Sequence, residues 1–333
     1  IGPADGVPAS IKDLCLTKGW PTLRGSGLID PDGQTWDEDA PCTARLREAG
    51  AVLLGKTSTP ELGCKGVTDN PLGDVARNPY DRTKTAGGSS GGAAVAAALG
   101  MGVLHIGTDG GGSIRIPAAF SGIFGLKPTF GRVPAYPASA FGDLAHIGPM
   151  TRRVADAALM LDIICRPDCR DPQALPLPQG SFLAALDAPA RGLRCAYSPD
   201  LGFVKVNPEV ADIVAAAVEK LRVAGIDLSG PGLEIADPKE TFHALWFSGA
   251  APAMSRFPAE KRGACDPGLQ QIARLGGGYP HMDYLTAGAA RAALREKVSR
   301  YFGGIDILLT PAMPIPAFGV GIEVPESSGM TRW

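Results

Sequence analysis

Short apolar runs alternate along the chain with polar, glycine-rich breaks, and the runs fall into helix-to-strand units. "VPASIKDLCL", residues 7–16, reads as a strand leading into turns around Gly19, Gly25 and Gly27. In "DEDAPCTARLREAGAVLLGKTSTPELG" acidic residues open a helix that stops near Gly50, and "AVLLG" follows as a short buried strand. "NPYDRTKTAGGSSGG" is a polar loop, after which "AAVAAALGMGVLHIG" reads as a buried alanine-rich helix feeding a strand that ends near Gly107. This order predicts an α/β core and sets two Ser-Gly segments at adjoining element ends.

Further on, "GPMTRRVADAALMLDII" carries another helix, and the proline-rich "CRPDCRDPQALPLPQG" marks the boundary of a segment or subdomain. "GLRCAYSPD" has the pattern of a strand. "NPEVADIVAAAVEKLRVAG" is a helix with Asn207 as its cap, Pro208 in the first turn and Gly225 at the stop. Residues 228–285 read as irregular or helical, and "AARAALREKVSRYFGGIDILLTPAMPIP" gives a last helix and a buried strand at 305–310.

Composition narrows the function classes. With 333 residues the chain can bury a large core, as one big domain or two ordinary ones, and 44 Gly with 30 Pro predict many loops. Thirty-two basic against 34 acidic side chains supply no broad positive field, which argues against nucleic acid or an anionic membrane as partner. Seven scattered cysteines fit reduced thiols in a cytoplasmic protein, and none has the spacing of a zinc set, so no metal is expected. No apolar run has the length or composition of a membrane span or a secretory signal, although a chain opening on "IGPADG" without Met is expected to have lost its true beginning.

The chemistry concentrates in "IGTDGGGSIRIPAAFSGIFGLKPTFGRVP", residues 106–134, where three glycines precede Ser113. Such a loop cradles a phosphate or presents a nucleophile beside its own oxyanion donors. A phosphate loop needs a glycine-rich run ending in Gly-Lys-Ser/Thr, and the "GKT" at residues 55–57 has no such run before it. A dinucleotide loop would open a helix where this chain places Pro117. Neither "GGSSGG" nor "GGGSIR" supplies the G-x-S-x-G elbow of an α/β-hydrolase, and no triad pattern demands any of the four histidines, 105, 146, 243 and 281. A serine hydrolase built here needs another base.

The tract "GGSSGGAAVAAALGMGVLHIGTDGGGSIRIPAAFSGIFGLKPTFGRVP" resembles the signature of the amidase signature family, serine hydrolases that cleave carboxamides with a Ser-Ser-Lys triad. "GVPASIKDL", "AGAVLLGKTSTPELG" and "HIGPMTRRVADAALMLD" lie in that family's order, and "GGIDILLTPAMPIPA" resembles its late strand and proline turn. The likeness implies one large mixed, twisted β-sheet flanked by helices on both faces, spanning residues 1–333 as a single domain with a subdomain inserted at about 168–290. Family members carry further segments before the lysine strand and after the proline turn, which this chain is expected to lack.

By the same resemblance Ser113 is the nucleophile, Ser89 the bridging hydroxyl and Lys12 the base, with a cis peptide at Gly88-Ser89. A lysine can accept a proton only if desolvation keeps part of it neutral. Gly110, Gly111, Gly112 and Ser113 supply backbone N–H groups for the oxyanion, while Ser90, Asp109 and Arg115 hold the loops. Lys56, Lys84 and Lys127 are rival bases by residue type, but only Lys12 stands in the motif position after an apolar strand. The expected reaction is cofactor-free hydrolysis of a small amide through an acyl-enzyme, in a cytoplasmic protein that could pair as a homodimer. The other readings are the glutaminase subunit of an aminoacyl-tRNA amidotransferase and a non-catalytic binding protein of the same fold. The glutaminase class typically has Gln after the Ile-Arg of the motif, where this chain has Ile116. Residues 134–145 and 228–285 are expected near the mouth of the site, with Phe141, Trp246, Phe247 and Met254 as apolar contacts or, more commonly for such residues, core.

Overall fold

The apolar strand "PASIK" becomes the second strand from one edge of a five-stranded sheet, and its C-terminal residue is Lys12. The computed structural model describes residues 2–190 and 192–328. In chain order its elements are β1 (Pro8–Lys12), α1 (Pro41–Glu48), β2 (Val52–Thr57), α2 (Gly91–Ala98), β3 (Leu104–Asp109), α3 (Arg115–Ser121), β4 (Phe124–Gly125), β5 (His146–Thr151) and α4 (Val154–Ile164). There follow β6 (Cys195–Tyr197), α5 (Pro208–Val223), α6 (Lys239–Ser255), α7 (Pro267–Gly277), α8 (His281–Tyr301) and β7 (Ile307–Leu309). The chain divides into two compact units, one of residues 1–186, 249–274 and 317–333, the other of residues 187–248 and 275–316.

In the first unit the sheet order is β2-β1-β3-β5-β4, with β1 parallel to β2 and β3, and β5 antiparallel to β3 and β4. Side chains alternate between the two faces of a strand. Ala9, Ile11, Leu104 and Ile106 therefore enter one buried cluster with Leu46 of α1 and Met160, Leu161 and Ile164 of α4. On the other face Met150 of β5 packs with Ala93 and Ala94 of α2 and with Ile114. Helices thus cover a mixed sheet on both sides, the α/β arrangement the sequence predicts.

Several boundaries differ for local reasons. The acidic residues 37–39 lie ahead of α1, which opens on Pro41; Asp39 accepts from the Lys18 N–H at 2.7 Å and pairs with Arg47 at 3.0 Å instead of capping the helix. A helix does run through Pro117, because the proline falls in the first turn of α3, where its N–H would have no partner. β5 is hidden in sequence by Gly148 and Pro149, and α8 begins well before the alanine-rich run. In the second unit β6 and β7 pair in parallel, and Asn207 caps α5 by accepting from the Glu209 N–H at 2.9 Å. Among the described residues no helix is long and apolar enough to cross a membrane.

Two buried polar features tie the first unit together. His105 of β3, fully buried, bonds through Nδ1 to Ser10 Oγ of β1 at 2.8 Å. Lys65 bonds to Asp266 at 2.6 Å, Asp69 at 2.8 Å and Glu323 at 3.2 Å, joining segments far apart in sequence. Burial lowers the Lys65 ammonium, but the carboxylates, Asp266 and Asp69 foremost, outweigh it and raise its pKa above the ordinary lysine value.

Burial holds the His105 ring down from 6.5 to about 4. Between those values only the unfolded chain takes up the proton, so stability falls as the solution is acidified, by about 3 kcal/mol in all. The melting temperature of His105→Gln should fall less steeply than that of the parent from pH 6.5 to 4; parallel curves would contradict this. Lys65→Met leaves three carboxylates around an apolar side chain and should cost about 3 kcal/mol in urea unfolding. A change below about 0.5 kcal/mol would show that the cluster contributes little.

Candidate active site

Lys12, Ser89 and Ser113 come from three places in the first unit. β1 delivers Lys12 at its C-terminal end, Ser89 sits in the loop before α2, and Ser113 follows β3. The two serine loops are tied by a bond from the Ser90 N–H to the Ser113 carbonyl at 3.1 Å. The Gly88-Ser89 peptide is cis. A Cβ on Gly88 would lie 2.4 Å from the Val67 carbonyl oxygen, so no side chain fits there.

The Lys12 side chain is fully buried, and Nζ donates to three hydroxyls: Ser89 Oγ at 2.7 Å, Ser90 Oγ at 2.8 Å and Thr108 Oγ1 at 2.9 Å. No carboxylate bonds to it among the described residues. Burial lowers its pKa from 10.5 to about 7, opposed by the more distant charges of Cys15 and Asp109. An amine held there is substantially neutral at physiological pH and can act as a base.

Asp109 organises the glycine loop. Its Oδ1 accepts from the Gly112 N–H at 2.8 Å and from Arg115 Nη2 at 2.8 Å, and its Oδ2 accepts from the Ile114 N–H at 3.1 Å and Arg115 Nε at 2.9 Å. Burial alone would raise this carboxyl, but the Arg115 pair and the loop N–H groups outweigh it and hold it at about 2. Asp109 therefore stays ionised, with its charge directed into the loop and Arg115.

One expectation needs correction here. The Gly112 N–H is not open to an oxyanion, because the Asp109 carboxylate occupies it. Its φ of +119° shows what glycine contributes at that position, a backbone turn that an L side chain rarely adopts. Among the described residues no hydrogen bond reaches the N–H groups of Gly110, Gly111 or Ser113, or Ser113 Oγ. Ser113 is buried, with 8% of its surface exposed.

Two of the rival lysines have their ammonium groups engaged by other partners. Lys56 donates to the Cys15 carbonyl at 2.5 Å, to Thr22 Oγ1 at 3.0 Å and to Thr17 Oγ1 at 3.1 Å, bracing the segment that follows Lys12. Lys84 lies in a bridge to Gly319, and Lys127 Nζ donates to the Pro128 carbonyl at 3.0 Å. The Ser10–His105 pair belongs to the sheet, with both residues buried and the imidazole neutral down to about pH 4. Thr108 was not singled out by sequence; its only local signal is its place just before Asp109 in "GTDGGGS".

A cavity of about 130 Å³ is bounded by residues 128–147 and 170–173, among them Phe130, Ser139 and Gln173. His146 on its wall holds Nδ1 2.8 Å from the Leu144 carbonyl and 3.3 Å from that of Asp109, so Nδ1 carries the proton. Of the apolar contacts expected from sequence, Phe141 packs over Gly249, and Met254 borders a second cavity with Arg262 and Gln270. Trp246 and Phe247 are buried, stacked on Phe242 and His243, which gives them packing roles within the second unit.

Known proteins share this architecture. The Amidase family model matches residues 1–332. The chain is 37% identical over 321 residues to the acylamidase of Rhodococcus erythropolis, covering 96% of this chain and 67% of that one. It is 34% identical to a glutamyl-tRNA(Gln) amidotransferase subunit from Chloroflexus aggregans, covering 99% and 72%. Among solved structures, a bacterial aryl acylamidase of the amidase signature family superposes with a TM-score of 0.87 at 28% identity, over 97% of this chain and 70% of that one. 6-Aminohexanoate cyclic dimer hydrolase superposes with a TM-score of 0.88 at 26% identity, over 96% and 70%. With the buried lysine, its serine partners and the glycine loop in place, the chain belongs to the amidase signature family, enzymes that hydrolyse carboxamides with serine-based machinery.

Proposed function

We propose that the chain is a stand-alone cytoplasmic amidase acting on a small linear amide, with Ser113 as nucleophile, Ser89 as bridging hydroxyl and Lys12 as base. The observation that carries this reading is the buried Lys12 amine, 2.7 Å from Ser89 Oγ and without a carboxylate partner among the described residues. Neutral Lys12 takes the Ser89 proton as Ser89 takes that of Ser113, and Ser113 Oγ adds to the amide carbonyl. The N–H groups of Gly110, Gly111 and Ser113 meet the developing oxyanion. On collapse the proton returns from Lys12 to the leaving nitrogen, the C–N bond breaks, and ammonia or amine departs. Water then releases the acid from the acyl-enzyme by the same relay.

The glutaminase-subunit reading has equal support from overall likeness, since curated relatives of both kinds match at similar identity. Ile116 favours the stand-alone reading, because it stands where the glutaminase class typically has glutamine. The likeness to an acylamidase and an aryl acylamidase supports N-acyl amides, aryl ones included, as the first substrates to try.

A panel of aliphatic, aryl and amino-acid amides, assayed for released ammonia or amine with glutamine as a separate arm, should show turnover of simple amides without any partner protein. Turnover of glutamine alone, and only with partner subunits and tRNA, would favour the amidotransferase reading. Ser113→Ala should abolish turnover while leaving the thermal unfolding curve in place; retained parent rates would rule out the nucleophile. Because Lys12 acts when deprotonated, kcat/KM should rise with pH through a midpoint near 7 and then level off. A flat profile from pH 5 to 9 would remove Lys12 as the base.

A further inference from the structure

Ser89 meets Lys12 from a loop, so its place depends on what fixes the chain just ahead of it. Residues 83–86 form the middle of a short three-part ladder. On one side the Asn78 N–H donates to the Lys84 carbonyl at 2.9 Å, and the Ala86 N–H to the Ala76 carbonyl at 3.2 Å. On the other side lies a segment from far along the chain. The Thr85 N–H donates to the Phe318 carbonyl at 2.8 Å and the Val320 N–H to the Thr83 carbonyl at 2.9 Å, around an antiparallel bridge between Lys84 and Gly319. All these residues belong to the first unit.

The same segment reaches the loop through side chains. The half-buried Phe318 ring stands edge-on to Phe120 of α3, with centroids 6.0 Å apart and planes at 88°. Phe120 is buried, and its Cδ2 lies 3.0 Å from where a Cβ on Gly87 would stand. Gly87 has a φ of +78°, and its N–H donates to Thr85 Oγ1 at 3.0 Å. Phe318 therefore bears on Gly87 by two routes, one through the main chain and hydroxyl of Thr85, the other through the ring of Phe120. Thr68 closes the opposite side, its Oγ1 donating to the Gly87 carbonyl at 2.9 Å and accepting from the Gly91 N–H at 3.0 Å. Ser89 lies between those two glycines.

We propose, resting on the reading of Ser89 as bridging hydroxyl, that Phe318 is a positioning residue which holds Ser89 in the relay between Ser113 and Lys12. It touches none of the three and acts through Phe120 and Gly87. The two routes respond differently to substitution: the main-chain bonds survive a change of side chain at 318, whereas the ring contact does not. Without the ring, Phe120 loses its edge-on partner, and the Gly87 backbone it covers can shift and carry Ser89 Oγ off its 2.7 Å contact with Lys12. A relay passes its proton only when both of its hydrogen bonds are in place, so a displacement of about 1 Å at the middle hydroxyl slows it while nucleophile and base stay where they are.

The test is a double-mutant cycle on the rate at which a small fluorophosphonate labels Ser113, with every variant held well below its melting temperature. In that step Ser113 Oγ bonds to phosphorus, fluoride leaves, and the serine proton passes through Ser89 to Lys12, so the relay is read without knowledge of the amide substrate. Phe318→Ala should slow labelling by about tenfold, and Phe318→Tyr, which keeps the ring, should label at the parent rate. In the Ser89→Ala background, with the probe concentration raised until the residual rate is measurable, Phe318→Ala should add no further slowing, because the group it acts through is gone. A packing role alone would lower the melting temperature and leave the rate of the folded protein unchanged. Phe318→Leu, expected to slow labelling by a smaller factor with the same dependence on Ser89, replaces Phe318→Ala should that variant fold poorly. Parent-like labelling without the ring, equal slowing with and without Ser89, or a Phe318→Tyr variant as slow as Phe318→Ala would overturn the proposal. Ser89→Ala alone separates the two levels: if it labels at the parent rate, the bridging assignment itself fails. A slow Ser89→Ala beside a parent-like Phe318→Ala removes only the positioning role.

Discussion

A lysine amine sealed among neutral hydroxyls is the constraint around which the first unit is organised. Taking Lys12 from 10.5 to about 7 corresponds to about 5 kcal/mol by which the charged form is disfavoured relative to solvent. The contrast with Lys65 shows what sets this. Lys65, nearly as buried, is met by three carboxylates and remains charged, whereas Lys12 is met by Ser89, Ser90 and Thr108. One residue type thus serves as a structural cation at one position and as a proton acceptor at the other, according to whether its neighbours are anions.

The nearby Asp109 could have cancelled this arrangement. A carboxylate bonded to Lys12 would hold the proton and disable the base. Instead Arg115 and the loop N–H groups take up the Asp109 oxygens. The same contacts that neutralise the carboxylate also set the path of the glycine loop, so electrostatics and loop shape have one cause. This is also why Gly112 serves the loop while its neighbours keep open N–H groups.

Much of this was legible in sequence where the signal is local. The strand into Lys12, the alanine-rich helix after "GGSSGG", and the glycine run before Ser113 each carry a pattern within a dozen residues, and the family likeness supplied the roles. Thr108 was not legible, because its contact to Lys12 spans 96 positions and nothing beside it distinguishes it from an ordinary strand threonine. β5 was missed because Pro149, opposite Ile106, cannot donate to a ladder and argues against an internal strand. The acidic run before α1 misled because Asp39 is drawn to Lys18 and Arg47 by tertiary contacts that sequence does not display. Within residues 228–285, α7 does carry a legible start, Asp266 accepting from the Leu269 N–H at 2.9 Å with Pro267 in the first turn, whereas α6 holds Pro252 in its interior, which argues against a helix.

The seven thiols divide unevenly, since six are buried and Cys169 alone is exposed. Cys169 adjoins Arg170, whose guanidinium lies 4.9 Å over the Tyr136 ring and which, with Gln173, borders the 130 Å³ cavity. The native chain therefore offers a single addressable point for a thiol-reactive fluorophore. A dye placed there would sit next in sequence to residues that border the cavity, without introducing or removing any other cysteine.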